Sequence, residues 1–250
     1  MPTSIRGRIV YTSNQPQRQG HVRGMEHFVM TLNQDGSRSL RSHCVIQDPP
    51  MVERDVLLSV DPQFHPRSAT VKIRVGDLQE GSTLFHFSGK TIKARGHILD
   101  GTDYSETRVL SDEPSFFVTH PIQADAWLLA GLGIDVDTPK RYTVENFPTA
   151  SNDHRGATGP RIEMHEPPID IYYLGKESIT VAAGTFEALH FCYGDPDEDP
   201  MGSNAAGAHP RYHVWTSADG HFILLRASVD GYMQTHYELH ECHTGETGSV

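Results

Sequence analysis

The chain has 250 residues, with 21 Lys and Arg against 32 Asp and Glu, which gives a formal net charge of −11 at pH 7. This acidic balance argues against a nucleic-acid partner, because phosphates attract a basic surface. Hydrophobic residues make up 37% and charged residues 21%, which is typical of a globular protein, and no apolar stretch is long enough to cross a bilayer. The 22 Gly and 16 Pro predict short elements rather than a bundle of long helices.

The start of the chain and the cysteines bear on its compartment. The opening residues lack the apolar run of a secretory signal, so we expect a cytoplasmic protein, or a mature form whose signal has been removed. Cys44, Cys192 and Cys242 are odd in number and widely spaced, which predicts three free thiols at mostly buried positions. We expect no membrane partner.

Five segments of the N-terminal half predict β-strands. They alternate in polarity or are rich in β-branched and aromatic residues, and Gly, Pro, Asp or Gln separates them. These segments are residues 25–33, 39–47, 53–61, 70–75 and 83–89.

After these strands, one segment predicts a helix, at residues 121–132. Pro121 stands where a first-turn proline belongs, and the following IQADAWLLAGLG is rich in Ala and Leu. Gly131 and Gly133 end the pattern. The sequence therefore predicts one short, apolar helix in a protein that otherwise consists of strands.

Five further strands are predicted at 169–181, 184–194, 211–217, 221–229 and 232–242. Asp-Gly dipeptides favour tight hairpin turns and indicate an antiparallel meander; they lie at 35–36, 100–101, 219–220 and 230–231. Two polar stretches, 149–161 and 194–210, are predicted to be loops, either disordered or functional. We expect one domain over residues 1–243 and a disordered tail over 244–250.

The C-terminal third carries GKESITVAAGTFEALHF at 175–191 and VWTSADGHFILLRAS at 214–228. Over residues 169–240 the chain resembles the LolA-type lipoprotein-carrier barrels and related uncharacterised domain families, in which G-x-E-x-I-x-V-x-A-G-T-F precedes a W-x-x-x-D-G turn. The chain departs from the carriers in its 16 His and its lack of a visible signal peptide. Strands and resemblance together predict an all-β protein: a single strongly curved antiparallel sheet, forming a barrel or half-barrel around an apolar cavity, plugged by one short helix.

The 16 His prompt a search for a metal site. No two of them lie two residues apart, the spacing that would point both inward from one strand. His236 and His240 are four apart on a predicted strand, which separates them by about 13 Å, too far for one ion. The sequence also lacks a G-x-S-x-G elbow, a phosphate loop and a dinucleotide fingerprint. We therefore predict neither a metal nor another cofactor.

With these classes of site set aside, acid–base chemistry inside the predicted barrel is the remaining possibility. His120, at the mouth of the predicted helix, can point inward, and Asp125, one turn on, can fix its tautomer. In the alternative interpretation His120 caps the helix and Asp125 faces water. Trp127 is expected to fill the core, to contact a ligand, or both.

Alternation along the strands supplies further candidate residues but does not decide which face of each strand is inside. If Trp215 faces the interior, so do Arg211 and His213; the opposite assignment places Tyr212, Val214 and Thr216 inside. Either Tyr172 or Tyr173 faces the cavity, since the two are adjacent. His236 and Glu238 belong to a polar row that is either the solvated side of the sheet or a water-lined interior.

These residues define the predicted function. We expect a cofactor-independent lyase, isomerase or hydratase acting on a small apolar or aromatic metabolite, with His120 and Asp125 as the acid–base pair and Tyr173 or His213 as hydrogen-bond donor. The predicted ligand contacts are Trp127, Trp215, Tyr172, Arg74 and His236. The alternative is a binding or carrier protein for a hydrophobic ligand, without chemistry. Edge strands could also pair two copies into a homodimer.

Overall fold

The computed structural model of the protein describes residues 3–77, 79–153, 159–197, 211–230 and 235–246. Within them lie sixteen strands, one α-helix and a short 3-10 helix at Pro16–Arg18. The first eight strands are β1 (Thr3–Ser13), β2 (Val22–Leu32), β3 (Arg38–Ile46), β4 (Val52–Val60), β5 (Pro66–Val75), β6 (Gln79–Ser88), β7 (Thr91–His97) and β8 (Asp103–Val109). The helix α1 (Ile122–Gly131) follows. The remaining strands are β9 (Lys140–Val144), β10 (Phe147–Thr149), β11 (Glu163–His165), β12 (Ile169–Val181), β13 (Gly184–Tyr193), β14 (Tyr212–Ser217), β15 (Leu224–Val229) and β16 (Thr235–Glu246).

Fourteen of these strands form one antiparallel sheet, in the order β8-β7-β6-β5-β4-β3-β2-β1-β16-β15-β14-β13-β12-β9. Chain neighbours are mostly sheet neighbours, as expected for a meander, and β1 pairs with β16 in the middle of the sheet. The sheet is not closed, because β8 and β9 are its two edges. The prediction of an all-β protein with one large antiparallel sheet is therefore confirmed, in an open, barrel-like form.

Helix α1 lies against one face of this sheet. It packs on both β3 and β15, which are separated in the sheet by β2, β1 and β16. Contact with two strands so far apart requires the sheet to bend around the helix. The bounds of α1 agree with the predicted helix, and seven of its residues are buried. The helix thus occupies the concave side of the sheet, as predicted for a plug.

Alternation along the strands supplies the core on that concave face. In β4, for example, Val56, Leu58 and Val60 are buried, and Leu57 and Ser59 between them are more exposed. Burying such side chains stabilises the fold by about 1.5–3 kcal/mol each. Aromatic side chains fill much of the remaining core volume: Phe28, Phe85, Phe191, Tyr173 and Trp127 are among the largest that are fully buried.

Side-chain hydrogen bonds fasten α1 to the start of β15. Gln123 is fully buried; its Nε2 donates to the Phe222 carbonyl oxygen at 3.0 Å, and its Oε1 accepts from the Leu224 N–H at 2.9 Å. The Trp127 Nε1–H donates to the His221 carbonyl oxygen at 3.2 Å. The amide of Gln123 thereby satisfies backbone groups that would otherwise be buried without partners.

The hairpin turns agree with the sequence wherever they are described. Gly36, Gly101 and Gly220 have positive φ angles of 83°, 82° and 82°, as tight Asp-Gly turns require. The fourth predicted turn includes Gly231, which lies outside the described residues, as do 154–158 and 198–210 of the two predicted loops. Strand β16 extends to Glu246 and pairs with β1, so residues 244–246 of the predicted tail belong to the sheet. No helix in the described part of the chain is long and apolar enough to span a membrane.

Candidate functional site

A buried carboxylate, that of Glu26, joins three strands to the helix. Glu26 on β2 has no exposed surface. Its Oε1 accepts from Ser42 Oγ at 2.7 Å and from the Gln123 N–H at 3.3 Å. Its Oε2 accepts from Tyr11 Oη at 2.9 Å and from the Ile122 N–H at 2.7 Å. Because the first N–H groups of a helix have no partner within it, Glu26 acts as the cap of α1 across 96 residues of sequence.

Burial raises the pKa of Glu26, although these four hydrogen bonds favour its ionised form and oppose the rise. The positive end of the helix dipole also favours a negative charge at this place. The residue at the helix N-terminus itself, Pro121, makes no side-chain cap. The predicted alternative of a cap by His120 is thus replaced by a cap from a distant strand.

One turn further along α1, Asp125 points its carboxyl group into the protein. Its Oδ1 has no exposed surface and no hydrogen-bond partner among the described residues. Burial, followed by the neighbouring charge of Glu26, raises the pKa of Asp125 to about 7, and the charge of Arg54 opposes the rise. A buried carboxyl oxygen without a partner is rare, because the desolvation is not compensated.

Four tyrosines on β1, β13, β14 and β16 form a row of neighbouring rings. Rings of Tyr11 and Tyr237 are 4.8 Å apart, those of Tyr212 and Tyr237 6.5 Å, and those of Tyr193 and Tyr212 5.2 Å. We call these four residues the tyrosine row. Burial raises the pKa of Tyr193, Tyr212 and Tyr237, and the negative charge of Asp125 adds to the rise in each. Asp125 therefore lies within electrostatic reach of three of the four phenols.

Asp125 and Tyr237 are less tightly enclosed than the other members of this group. Both lie deep, yet each retains partly accessible surface. The other three tyrosines, Tyr11, Tyr193 and Tyr212, are buried.

His120 lines a small pocket. Its φ angle is +73°, and its Nε2–H donates to the Ser151 carbonyl oxygen at 2.7 Å. The pocket has room for about one water molecule. It is also lined by the buried Arg54 and by Thr119, whose Oγ1 has no hydrogen-bond partner in the described structure. The backbone, rather than Asp125, thus orients the imidazole through Nε2, and Asp125 is not among the residues that line this pocket.

Two further predicted site residues are buried in the core. Trp127 is 2% exposed and packs edge-on against Phe64, with ring centroids 5.7 Å apart. The Tyr173 hydroxyl donates to the Val136 carbonyl oxygen at 2.7 Å, and its ring contacts Phe191. Of the adjacent pair, Tyr173 is therefore the interior residue.

The remaining predicted contacts lie on the outer face of the sheet. Tyr172 lies near the Arg141 guanidinium, 5.9 Å from the ring centroid. Arg74 pairs with Glu53 and Glu80 at 3.3 and 3.2 Å, so it stands in a surface ion-pair network rather than in a cavity. His236 lies 3.3 Å from Glu238. The polar row of β16 is thus the outward side of the sheet, because Leu239, of the opposite parity, is fully buried.

His213 and Trp215 also face outward, so the inward residues of β14 are Tyr212, Val214 and Thr216. Trp215 Nε1 donates to Glu177 Oε1 at 2.7 Å, and His190 Nδ1 lies 2.9 Å from the same oxygen. His190 Nε2 lies 3.0 Å from His213 Nδ1. These four side chains form what we call the outer histidine cluster.

The outer histidine cluster is poorly suited to nucleophilic catalysis. Cys192 Sγ lies 3.7 Å from His213 Nε2, but burial raises the pKa of this thiol to about 12, which suppresses the reactive thiolate. Burial and the charge of His213 lower the pKa of His190 to about 4 against the influence of Glu177. Burial also lowers the pKa of His213. Both imidazoles are accordingly neutral at pH 7, and the outer histidine cluster ties β12, β13 and β14 together. No three His, Cys, Asp or Glu side chains in the described part of the chain are grouped so that they could hold a metal ion.

Comparisons with known proteins bear on the fold alone. No family model matches the sequence, and no curated protein matches it. The solved structures include a beta-barrel-like protein of domain of unknown function DUF1849 from Brucella abortus, with a TM-score of 0.53 and 10% identity, covering 98% of both chains. A DUF1089 family protein from Pseudomonas aeruginosa has a TM-score of 0.43 and 12% identity, covering 83% of this chain and 90% of its own. The first similarity supports the barrel-like architecture.

Proposed function

We propose that the protein binds a small organic molecule beside the tyrosine row, with Asp125 as the group that anchors it. The observation that carries this proposal is the Asp125 Oδ1, which is buried without a hydrogen-bond partner in the described structure. A ligand that supplies the missing partner would remove the cost of that burial. The tyrosine row would enclose the rest of the ligand, because phenol rings combine apolar area with a polar group.

A binding role is favoured over the His-centred reaction for a geometric reason. His120 borders the one-water pocket, and its Nε2–H is bonded to the backbone of Ser151, whereas Asp125 does not line that pocket. The resemblance of residues 169–240 to the LolA-type carrier barrels also supports binding rather than catalysis. The ligand would be small and partly aromatic or apolar.

A second candidate function, a cofactor-independent hydratase-type reaction, rests on the pocket at His120. That pocket has room for about one water molecule beside an imidazole that could accept its proton. In this case His120→Ala abolishes turnover, whereas the binding function leaves ligand affinity unchanged in that variant.

The binding proposal is tested with benzyl alcohol, a small neutral aromatic probe. Because the chain has two tryptophans, Trp215→Phe leaves Trp127 on α1 as the only fluorophore of its type. Titration with benzyl alcohol should change the Trp127 emission and raise the melting temperature. Native mass spectrometry of the protein as purified should also be searched for a retained molecule.

Asp125→Leu is the test variant, since it removes both carboxyl oxygens. We expect it to weaken benzyl alcohol binding at least tenfold, the effect of one lost hydrogen bond to a charged or buried group. Asp103→Leu, at an exposed position of β8, is the matched control and should bind as the wild type does. Absence of both a retained molecule and any probe binding would overturn the proposal.

A further inference from the structure

We infer that the outer face of the sheet over β1–β7 is a docking surface for a lipid bilayer that contains anionic lipids. The contact is a row of outward-facing side chains across these strands, in which arginines alternate with aliphatic residues and one threonine. We call it the Arg–Leu row. It consists of Arg6, Val29, Arg41, Leu57, Thr70, Leu84 and Arg95. The inference departs from the expectation of no membrane partner, which considered segments that cross a bilayer rather than a face that touches one.

The strand register places the side chains of the Arg–Leu row next to one another. Each residue is paired directly with the next, from Arg6 on β1 to Arg95 on β7. Directly paired residues lie about 5 Å apart and point to the same side of a sheet, so the row is continuous. Leu57 and Leu84 are 40% and 53% exposed, and both project from the surface.

The three arginines of the Arg–Leu row lack counter-charges. None of them takes part in an ion pair in the described part of the chain, whereas Arg74 on the same face pairs with Glu53 and Glu80. Two rows of side chains flank the Arg–Leu row on β1–β7. Among their described residues, Asp55 is the one acidic side chain, and it pairs with His43 at 2.8 Å. The face therefore carries an excess of positive charge.

This positive face belongs to an acidic protein. Residues 1–109, which include β1–β8, carry 14 Lys and Arg against 11 Asp and Glu, a net charge of +3. Residues 110–250 carry 7 against 21, a net charge of −14. An anionic surface attracts the first part of the chain and repels the second. The charge distribution therefore orients the Arg–Leu row toward the lipid.

The shape of the face favours a bilayer over an acidic peptide or a nucleic acid. Helix α1 lies on the concave side of the sheet, so the Arg–Leu row crosses the convex side. Peptides bind in grooves or along sheet edges, and the row runs over neither. Nucleic acids offer phosphates but no apolar layer for projecting leucines. A bilayer offers phosphates to the guanidinium groups and an apolar boundary to Leu57 and Leu84.

The test is cosedimentation of the full chain with large unilamellar vesicles, made of phosphatidylcholine alone or with 30% phosphatidylserine. We expect binding to the phosphatidylserine vesicles only, and weaker binding in 0.5 M than in 0.1 M NaCl, because salt screens exposed charges. Each Lys or Arg near an anionic surface contributes about fivefold to the partition coefficient, so Arg41→Ala with Arg95→Ala should lower it about 25-fold. Leu57→Ser with Leu84→Ser should lower it by about tenfold or more.

The matched control is Lys140→Ala with Lys176→Ala. It removes two positive charges from exposed positions of β9 and β12 and should bind as the wild type does. Equal binding to both kinds of vesicle, binding to neither, or undiminished binding of the arginine or the leucine variant would overturn the inference. Binding of poly-L-glutamate or duplex DNA in place of vesicles, weakened in the arginine variant, would also overturn it and assign the face to an acidic protein or a nucleic acid.

Discussion

Replacing Glu26 by glutamine tests how the helix is held in the sheet. The change keeps the shape of the side chain and exchanges one acceptor oxygen for an NH2 group. Each carboxylate oxygen of Glu26 accepts one backbone N–H, from Gln123 or from Ile122. Whichever way the new amide is turned, its NH2 group meets a backbone N–H, and two donors face each other. The hydroxyl partners can rotate to compensate, but the backbone donor cannot.

The cost can be worked out from these contacts. A buried N–H that loses its acceptor costs about 1–3 kcal/mol, and removing a charge from a helix N-terminus costs about 0.3–2 kcal/mol. Relief of the desolvation that raises the pKa of Glu26 offsets part of this. We expect Glu26→Gln to lower the free energy of unfolding by about 2–4 kcal/mol, equivalent to a fall of roughly 5–12 °C in melting temperature.

Urea unfolding followed by Trp127 fluorescence and far-ultraviolet circular dichroism measures this change. Tyr11→Phe is the matched control, because it removes one hydroxyl donor to Glu26 and leaves both backbone hydrogen bonds. Its expected cost is about 1 kcal/mol. A Glu26→Gln variant as stable as the wild type, or more stable than Tyr11→Phe, would refute the capping role of Glu26.

The remaining predictions concern pH and close packing. The pKa of Asp125 is raised from 3.8 to about 7, so the ligand-free protein should lose stability as pH rises from 4 to 7, by up to about 4 kcal/mol; Asp125→Asn should remove that slope in urea midpoints. The pKa of His190 is lowered from 6.5 to about 4, so stability should also fall as pH decreases through that interval. His190→Gln should flatten this acid limb, and an unchanged limb would show that other groups control it. A Cβ at Gly24 would lie 2.0 Å from the Val45 carbonyl oxygen, so Gly24→Ala should cost about 1–3 kcal/mol in thermal melts; an unaltered melting temperature would contradict this.

Strong local patterns in the sequence predicted most of the sheet. All ten strands expected from alternation correspond to observed strands, since each buries one face and exposes the other. The six strands that were not predicted include both sheet edges, β8 and β9. The sequence DYSETRV of β8 lacks a row of large apolar residues, and KRYTV of β9 is short and basic. Charged residues on edge strands hinder pairing with other chains, and they also conceal the strand from a search for apolar alternation.

The sequence predicted only that part of the candidate site which lies within one segment of the chain, the helix. Asp125 was selected from the helix sequence, but its neighbours come from strands about 70 to 110 positions away in the chain. Strand facing was the main obstacle, because alternation fixes which residues share a face and does not fix which face is inside. In β14 this ambiguity led to the choice of His213 and Trp215 as site residues, whereas Tyr212 is the residue that faces inward. On β16, Leu239 is fully buried and lies on the same face of the strand as Tyr237. The few apolar residues of this strand therefore already indicated, in the sequence, which of its two faces is inside.

The pairing of β1 with β16 affects how this protein can assemble. Thr3 is paired with Glu246, so the two ends of the sheet-forming chain meet in adjacent strands, and a short peptide linker could join them. New termini opened in the turn between β7 and β8 would then leave every strand pair intact, which makes the fold suitable for circular permutation. The same pairing means that one edge of β1 has no partner until β16 has been synthesised. The two halves of the sheet therefore unite only at that step, and a chain that stalls before β16 exposes two unpaired strands, β1 and β15, at the centre of the sheet.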